Sequence, residues 1–216
     1  MRQNKEYFEM ENTMRFIGIT GGVGAGKSEL LRYIREHYPC EVYLADEVAH
    51  LLQEPGTECY EKLVQLLGKE VLLPDERIDK KKMAAAIFAD RKLLLQVNEI
   101  VHPAVRSFLL ERLEEAKRRP ETKLFFVEAA LLIEAGYKEL ADELWYVYAD
   151  KDIRRKRLME SRGYSSEKVE EIMEKQLSEE KFREACDFII DNSGSLEDSL
   201  KQVSERLKEI TERHGY

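Results

Sequence analysis

The run Gly21-Gly22-Val23-Gly24-Ala25-Gly26-Lys27-Ser28 constrains this chain more than any other. It satisfies Gly-x-x-x-x-Gly-Lys-Ser/Thr at every fixed position. The preceding Arg15–Thr20 segment is apolar and β-prone, and Glu29–Arg35 has apolar residues at helical spacing. Strand, glycine loop and helix in that order form the context in which this pattern holds phosphate. The glycines let successive N–H groups turn inward on an anion, and the helix beginning near Lys27 adds its unpaired N–H groups and positive dipole end. The pattern assigns Gly22, Val23, Gly24, Ala25, Gly26, Lys27, Ser28 and Glu29 to nucleotide binding. Lys27 reaches the β- and γ-phosphates, and Ser28 is a Mg²⁺ ligand. Glu29 contributes through its backbone N–H, with its side chain turned to solvent. A nucleoside triphosphate, ATP, with Mg²⁺ is the implied ligand.

Four more segments read as buried strands: Val42–Leu44, Leu124–Val127, Leu144–Tyr148 and Phe188–Ile190. With the first strand and the intervening helical patterns, the order is βαβ, a long helical insertion, then βαβαβα. The expected fold is α/β, a P-loop kinase core with a parallel sheet of about five strands covered by helices. Ligands of such sheets gather beyond the carboxyl ends of the strands. Asp46, Glu128, Asp150 and Asp191 all lie at strand ends, which makes them candidates for chemistry.

Residues 14–45, 121–150 and 186–216 are expected to form the core, 46–120 the insertion and 151–185 a lid. The insertion shows helical spacing over Asp79–Phe88 and Asp90–Lys117, and Pro103 is expected to bend or break the second of these. Charge pattern leaves two readings for Asp152–Gly163, a solvated helix face or a hinged lid that closes on the transferring phosphoryl group. Ser165–Ala185 is expected to be the lid's second helix, and Leu196–Ile210 an amphipathic helix on the core. Residues 1–13 are polar and lack a signal peptide's apolar stretch, so a loosely ordered extension is expected there.

The net charge of −8 argues against a nucleic-acid binder. No apolar run approaches the ~20 residues of a membrane span, so no membrane partner is expected. Three separated cysteines without a Cys-x-x-Cys pair suit reduced thiols in the cytoplasm. No sequence feature specifies an oligomeric state.

Phosphoryl transfer needs a placed nucleophile and a carboxylate to take its proton. Asp46, just past the second predicted strand, fits that role by position and equally fits a cap on a helix starting at Glu47. Glu128 suits Mg²⁺, directly or through water, and equally suits a turn carboxylate paired with a lysine.

Beyond the loop, the chain contains Ala45-Asp46-Glu47-Val48-Ala49, Pro55-Gly56, His102-Pro103, Leu131-Leu132-Ile133-Glu134, Arg157, Gln176 and Asp187–Gly194 in order. This set resembles the dephospho-coenzyme A kinase family over nearly the whole chain. The resemblance implies ATP-dependent phosphorylation of the ribose 3′-hydroxyl of dephospho-CoA. It makes Asp46 the general base and Arg157 a phosphate clamp beside Lys27. It places acceptor contacts around His102 and Arg106 in the insertion, with Glu128 also on the substrate side. Departures from the family pattern include Glu29 in place of Thr, Leu44 in place of the first Asp of Asp-Ala-Asp, His50, Ala130 and Ser161, with Arg162 beside a usual arginine position. A nucleoside monophosphate type kinase is the alternative, and a nucleotide-dependent switch or motor ATPase is a third reading.

Overall fold

The computed structural model describes residues 14–214. The expected extension over residues 1–13 lies outside the described residues. The described chain divides into two compact units, one formed by residues up to Val42 together with those from Ala116 onward, the other by Tyr43–Glu115.

The first unit is built on the strands β1 (Arg15–Thr20), β3 (Leu124–Glu128), β4 (Glu143–Tyr148) and β5 (Phe188–Asp191). Strand β2 (Cys40–Leu44) crosses the division and completes a five-stranded sheet in the order β2-β3-β1-β4-β5. β1 pairs in parallel with β3 (Ile17 beside Phe126) and with β4 (Ile19 beside Trp145), and β4 pairs in parallel with β5 (Tyr146 beside Ile189). Their apolar runs have no polar alternation because both faces of the sheet are covered. Ile17, Ile19, Phe125, Phe126, Leu144 and Trp145 are accordingly fully buried. The indole N–H of Trp145 donates to Glu143 Oε2 at 2.8 Å, and Arg206 grips the same carboxylate at 2.8 and 3.1 Å. The fork geometry of the guanidinium satisfies both oxygens of a carboxylate that burial would otherwise penalise.

Helix α1 (Lys27–His37) follows the glycine loop. The β3–β4 crossover corrects one expectation, since turns and a single 3₁₀ turn (Tyr137–Glu139) replace the helix. Gly136, in the left-handed region at φ 72, ends any helical path there, and Leu132 is fully buried under the turn. Asp142 then fastens the crossover to β1, accepting from the Phe16 N–H at 2.8 Å.

Helix α6 (Lys151–Arg162) leaves β4 and ends at Gly163, whose φ of 62 suits a left-handed C-cap. The single helix expected over Ser165–Ala185 is two, α7 (Ser166–Glu174) and α8 (Glu179–Ala185). Ser165 and Ser178 each start a helix by accepting a backbone N–H three residues on, and the second cap interrupts the run. Helix α9 (Leu196–His214) closes the unit.

The second unit comprises α2 (Ala45–Leu52), α3 (Glu58–Leu67), α4 (Lys80–Ala89) and most of α5 (Arg91–Lys117). Between α3 and α4 a short loop closes on an antiparallel bridge, Leu72 to Ile78. Of the two outcomes expected at Pro103, a bend or a break, the break does not occur, since α5 runs through it without interruption. Val97, Val101, Val105, Leu109 and Leu113 form a buried stripe at intervals of four on both sides of the proline. Pro103 and Glu99, four residues before it, are both exposed, so the forgone hydrogen bond lies on the solvent side of the helix.

Candidate active site

The glycine loop wraps between β1 and α1 with Gly21, Gly24 and Gly26 at φ 148, 82 and 91. Gly26 occupies the N-cap position of α1, and no side chain caps that helix end. The first-turn N–H groups therefore face the loop concavity, where an anion satisfies them. Lys27 Nζ donates to the Gly21 carbonyl at 2.8 Å and lies 3.4 Å from Glu128 Oε1. The structure thus brings Lys27 and Glu128 together, the lysine pairing that the sequence left as one of two readings. Glu29 points along the outer face of α1 and pairs with Arg32, so its charge stays clear of the loop.

The outer wall of the loop is built by α6. Arg154 Nε donates to the Val23 carbonyl at 3.0 Å, and its other end donates to Gln176 Oε1. Its guanidinium covers Gly22 so closely that a Cβ there would lie 2.2–2.7 Å from three of its atoms. Burial lowers the Arg154 pKa from its ordinary value, the effect of desolvation on a cation. One turn on, Arg157 donates to the Asn192 carbonyl at 2.9 Å and reaches the Ala25 carbonyl at 3.5 Å. Leu158, fully buried, packs beneath Gly24. Residues 154, 157 and 158 share one helical face. That spacing was the signal for Arg154, which a comparison of Arg157 with Arg162 passes over. Arg162 is exposed at the far end of the helix.

Asn192, just past β5 and 3% exposed, also packs against the loop. Its amide donates to the Ala25 carbonyl at 2.7 Å and accepts from Ser199 at 2.8 Å. A Cβ on Gly26 would sit 2.2 Å from Asn192 Nδ2, so glycine at this position is favoured by close approach as well as by its positive φ.

Ser28 is exposed in the first turn of α1. Together with the Glu128 carboxylate it supplies only oxygen donors, the kind Mg²⁺ takes alongside phosphate oxygens and water. Among the described residues no three His, Cys, Asp or Glu side chains are grouped so as to hold a metal ion.

The other expected residues belong to the second unit. Asp46 lies inside the first turn of α2, which begins at Ala45 with Leu44 as N-cap. No side-chain cap bond forms there, and the Asp46 carboxylate is exposed. His102 and Arg106 are one turn apart on α5, the first exposed and the second half-buried.

A parallel sheet whose first strand feeds a glycine loop, an uncapped helix start and a lysine held above it defines a P-loop nucleotide-binding protein. The solved shikimate kinase of Acinetobacter baumannii shares this fold, with a TM-score of 0.55, 13% identity, and coverage of 95% of this chain and 97% of that one. The chain belongs to the dephospho-CoA kinase family, whose model matches residues 15–198. The dephospho-CoA kinase of Aquifex aeolicus is 37% identical over 199 residues, 92% of this chain and 98% of that protein. A crystal structure from Thermus thermophilus aligns with a TM-score of 0.76 at 32% identity, over 92% of this chain and 98% of that chain. No helix among the described residues is long and apolar enough to cross a membrane.

Proposed function

We propose that this chain transfers the γ-phosphoryl group of ATP to the ribose 3′-hydroxyl of dephospho-CoA, yielding CoA and ADP. The observation that carries the reading is the membership of the dephospho-CoA kinase family over residues 15–198, with the phosphate loop intact inside it. Residues 46–120 take the acceptor, residues 151–185 act as the lid, and the rest of the chain from residue 14 holds the nucleotide.

In this mechanism the N–H groups of Gly22 to Glu29 cradle the phosphates, and Lys27 balances charge on the β- and γ-phosphoryl oxygens. Asp46 accepts the proton of the 3′-hydroxyl as that oxygen bonds to the γ-phosphorus and the bridge to ADP breaks. Arg154 and Arg157 fix the outer shape of the loop, and Arg157 clamps the transferring group as the lid closes. His102 and Arg106 contact the acceptor. Ser28, with Glu128 through water, would hold Mg²⁺, which when bound neutralises phosphate charge. The three free thiols, Cys40, Cys59 and Cys186, support a cytoplasmic setting.

The test is incubation with ATP, Mg²⁺ and each of dephospho-CoA, AMP and buffer alone, followed by product chromatography. CoA and ADP in equal amounts are expected with dephospho-CoA. Faster transfer to AMP, or equal ADP release without any acceptor, would overturn the assignment.

A further inference from the structure

The cations of α6 sort by the acceptors they meet. Lys151 and Arg155 pair with the Glu170 carboxylate of α7, and Arg155 also pairs with Asp152. Arg154 and Arg157 meet the phosphate loop, and there each acceptor is neutral. Arg157 meets the carbonyls of Asn192 and Ala25. Arg154 meets the Val23 carbonyl at 3.0 Å and the side-chain amide of Gln176, the only acceptors of its guanidinium among the described residues. Two carboxylates, Glu174 and Glu179, line a cavity of about 280 Å³ that Arg154 also borders, yet neither bonds to it. Glu179 is held by Arg183 at 2.7 Å, and Glu174 is exposed.

The Ser178 cap that starts α8 interrupts the helical run and leaves Gln176 in the linker after α7. The Gln176 N–H closes on the Met173 carbonyl at 3.2 Å, and the side chain reaches back to α6. Hydrogen bonds then run from Gln176 through Arg154 to the Val23 carbonyl, with the guanidinium lying over Gly22. A glutamate at 176 would accept the same bond more strongly, as a charge-assisted pair. It would also cancel the cation. An amide oxygen orients the guanidinium and leaves its permanent charge in force beside a loop whose ligand is a polyanion. Partial burial strengthens that field, because water screens it less. A half-buried guanidinium without a carboxylate is itself costly, and bound phosphate relieves the cost. From this arrangement, and resting on the proposed kinase reading for the nucleotide itself, we infer that Gln176 is a positioning residue of the phosphate site. It holds Arg154 over Gly22 with its charge unneutralised, so that the charge acts on the bound triphosphate.

The decisive variant is Gln176→Glu, because a brace and a holder of live charge predict opposite results. A brace is replaced without loss by a stronger acceptor, whereas the holder is not. Calorimetry gives the Kd for ATP with Mg²⁺ and no acceptor, and steady-state assays give the KM for each substrate. Gln176→Glu is expected to raise the Kd and KM for ATP roughly tenfold, the scale of one unit charge in a partly buried setting. The KM for dephospho-CoA is expected to stay within about twofold, and Tm to be unchanged or higher. Gln176→Met removes the bond and keeps the cation, so it is expected to lower Tm and to weaken ATP binding by a smaller factor. Lys175→Gln removes an exposed positive charge next door and is expected to leave the Kd for ATP within about twofold. An unchanged Kd for ATP in Gln176→Glu would overturn the inference. So would an equal loss in Lys175→Gln or Gln176→Met, or a loss in Gln176→Glu that tracks a fall in Tm. Failure of the unaltered protein to form CoA while ATP still binds is a separate result, which removes the kinase reading and leaves the Gln176 test standing.

Discussion

Replacing Asn192 by alanine tests how the phosphate loop is held in shape. The side chain is 3% exposed and makes two hydrogen bonds, to the Ala25 carbonyl at 2.7 Å and from Ser199 at 2.8 Å. Each neutral bond contributes about 1 kcal/mol net, and a buried carbonyl left short of its partner costs about 1–3 kcal/mol more. Ser199 keeps other acceptors, the carbonyls of Asp191 at 3.0 Å and Ser195 at 3.3 Å, whereas the Ala25 carbonyl keeps only the long 3.5 Å contact from Arg157, so most of the penalty falls on Ala25. The sum is a destabilisation of about 3 kcal/mol, equivalent to about 6–12 °C of Tm for a chain of this size. Differential scanning calorimetry measures the drop, and the KM for ATP is expected to rise with it because the loosened segment is the anion cradle. A double-mutant cycle with Gly26→Ala sharpens the test. The new Cβ meets Asn192 Nδ2 at 2.2 Å, so Gly26→Ala is expected to cost at least about 1 kcal/mol less once Asn192 is alanine. The strain of a side chain at φ 91 is common to both backgrounds and cancels. A Tm loss under about 2 °C, or additive effects in the cycle, would refute the bracing role.

Asp46→Asn is expected to lower kcat by about 10²–10⁴-fold with nucleotide binding retained, as for loss of a general base; near-normal turnover removes Asp46 from the mechanism. Arg154→Ala is expected to raise the KM for ATP roughly tenfold, the scale of a lost charge-assisted bond, and unchanged nucleotide kinetics would show that the cover over Gly22 is dispensable. Burial pushes the Cys40 thiol up to about 11 and the Cys186 thiol up to about 12, from an ordinary 9.0. Alkylation of the native protein at pH 8 is therefore expected to be slow at both and to accelerate in denaturant. Because the unfolded thiols release protons first, the unfolded state binds fewer protons between pH 9 and 11. Their contribution to stability then declines as pH rises through 9. Rapid native alkylation at pH 8, or stability that climbs through pH 9 to 11 once Cys40 and Cys186 alone remain as thiols, would contradict this.

The glycine loop and its flanking strand and helix were legible because each fixed position answers to a backbone requirement. The Asp187–Gly194 run was legible as a family match but not in its role, since Asn192 acts on Ala25 across the fold, beyond the reach of local spacing. Arg154 escaped for a related reason. It differs from its basic neighbours only in lying three residues before Arg157, and that face became meaningful once Gly22 and Gly24 packed against it. Pro103 did not break its helix, because a buried stripe outweighed one lost hydrogen bond, and local rules misled in the β3–β4 crossover, where Gly136 outweighed helical composition. The open choice at Asp46 narrowed for a geometric reason. α2 begins at Ala45, two residues too early for Asp46 to be its cap.

Trp145 is the chain's single tryptophan, fully buried between Phe126 and Phe188 with ring centroids 5.9 and 5.3 Å away. Its emission therefore reports the environment of the sheet alone, because the Tyr43–Glu115 unit contributes no indole. Helical circular dichroism draws on both units. The two optical signals, followed through one denaturant titration, separate the melting of the helical unit from that of the sheet without a label or a substitution.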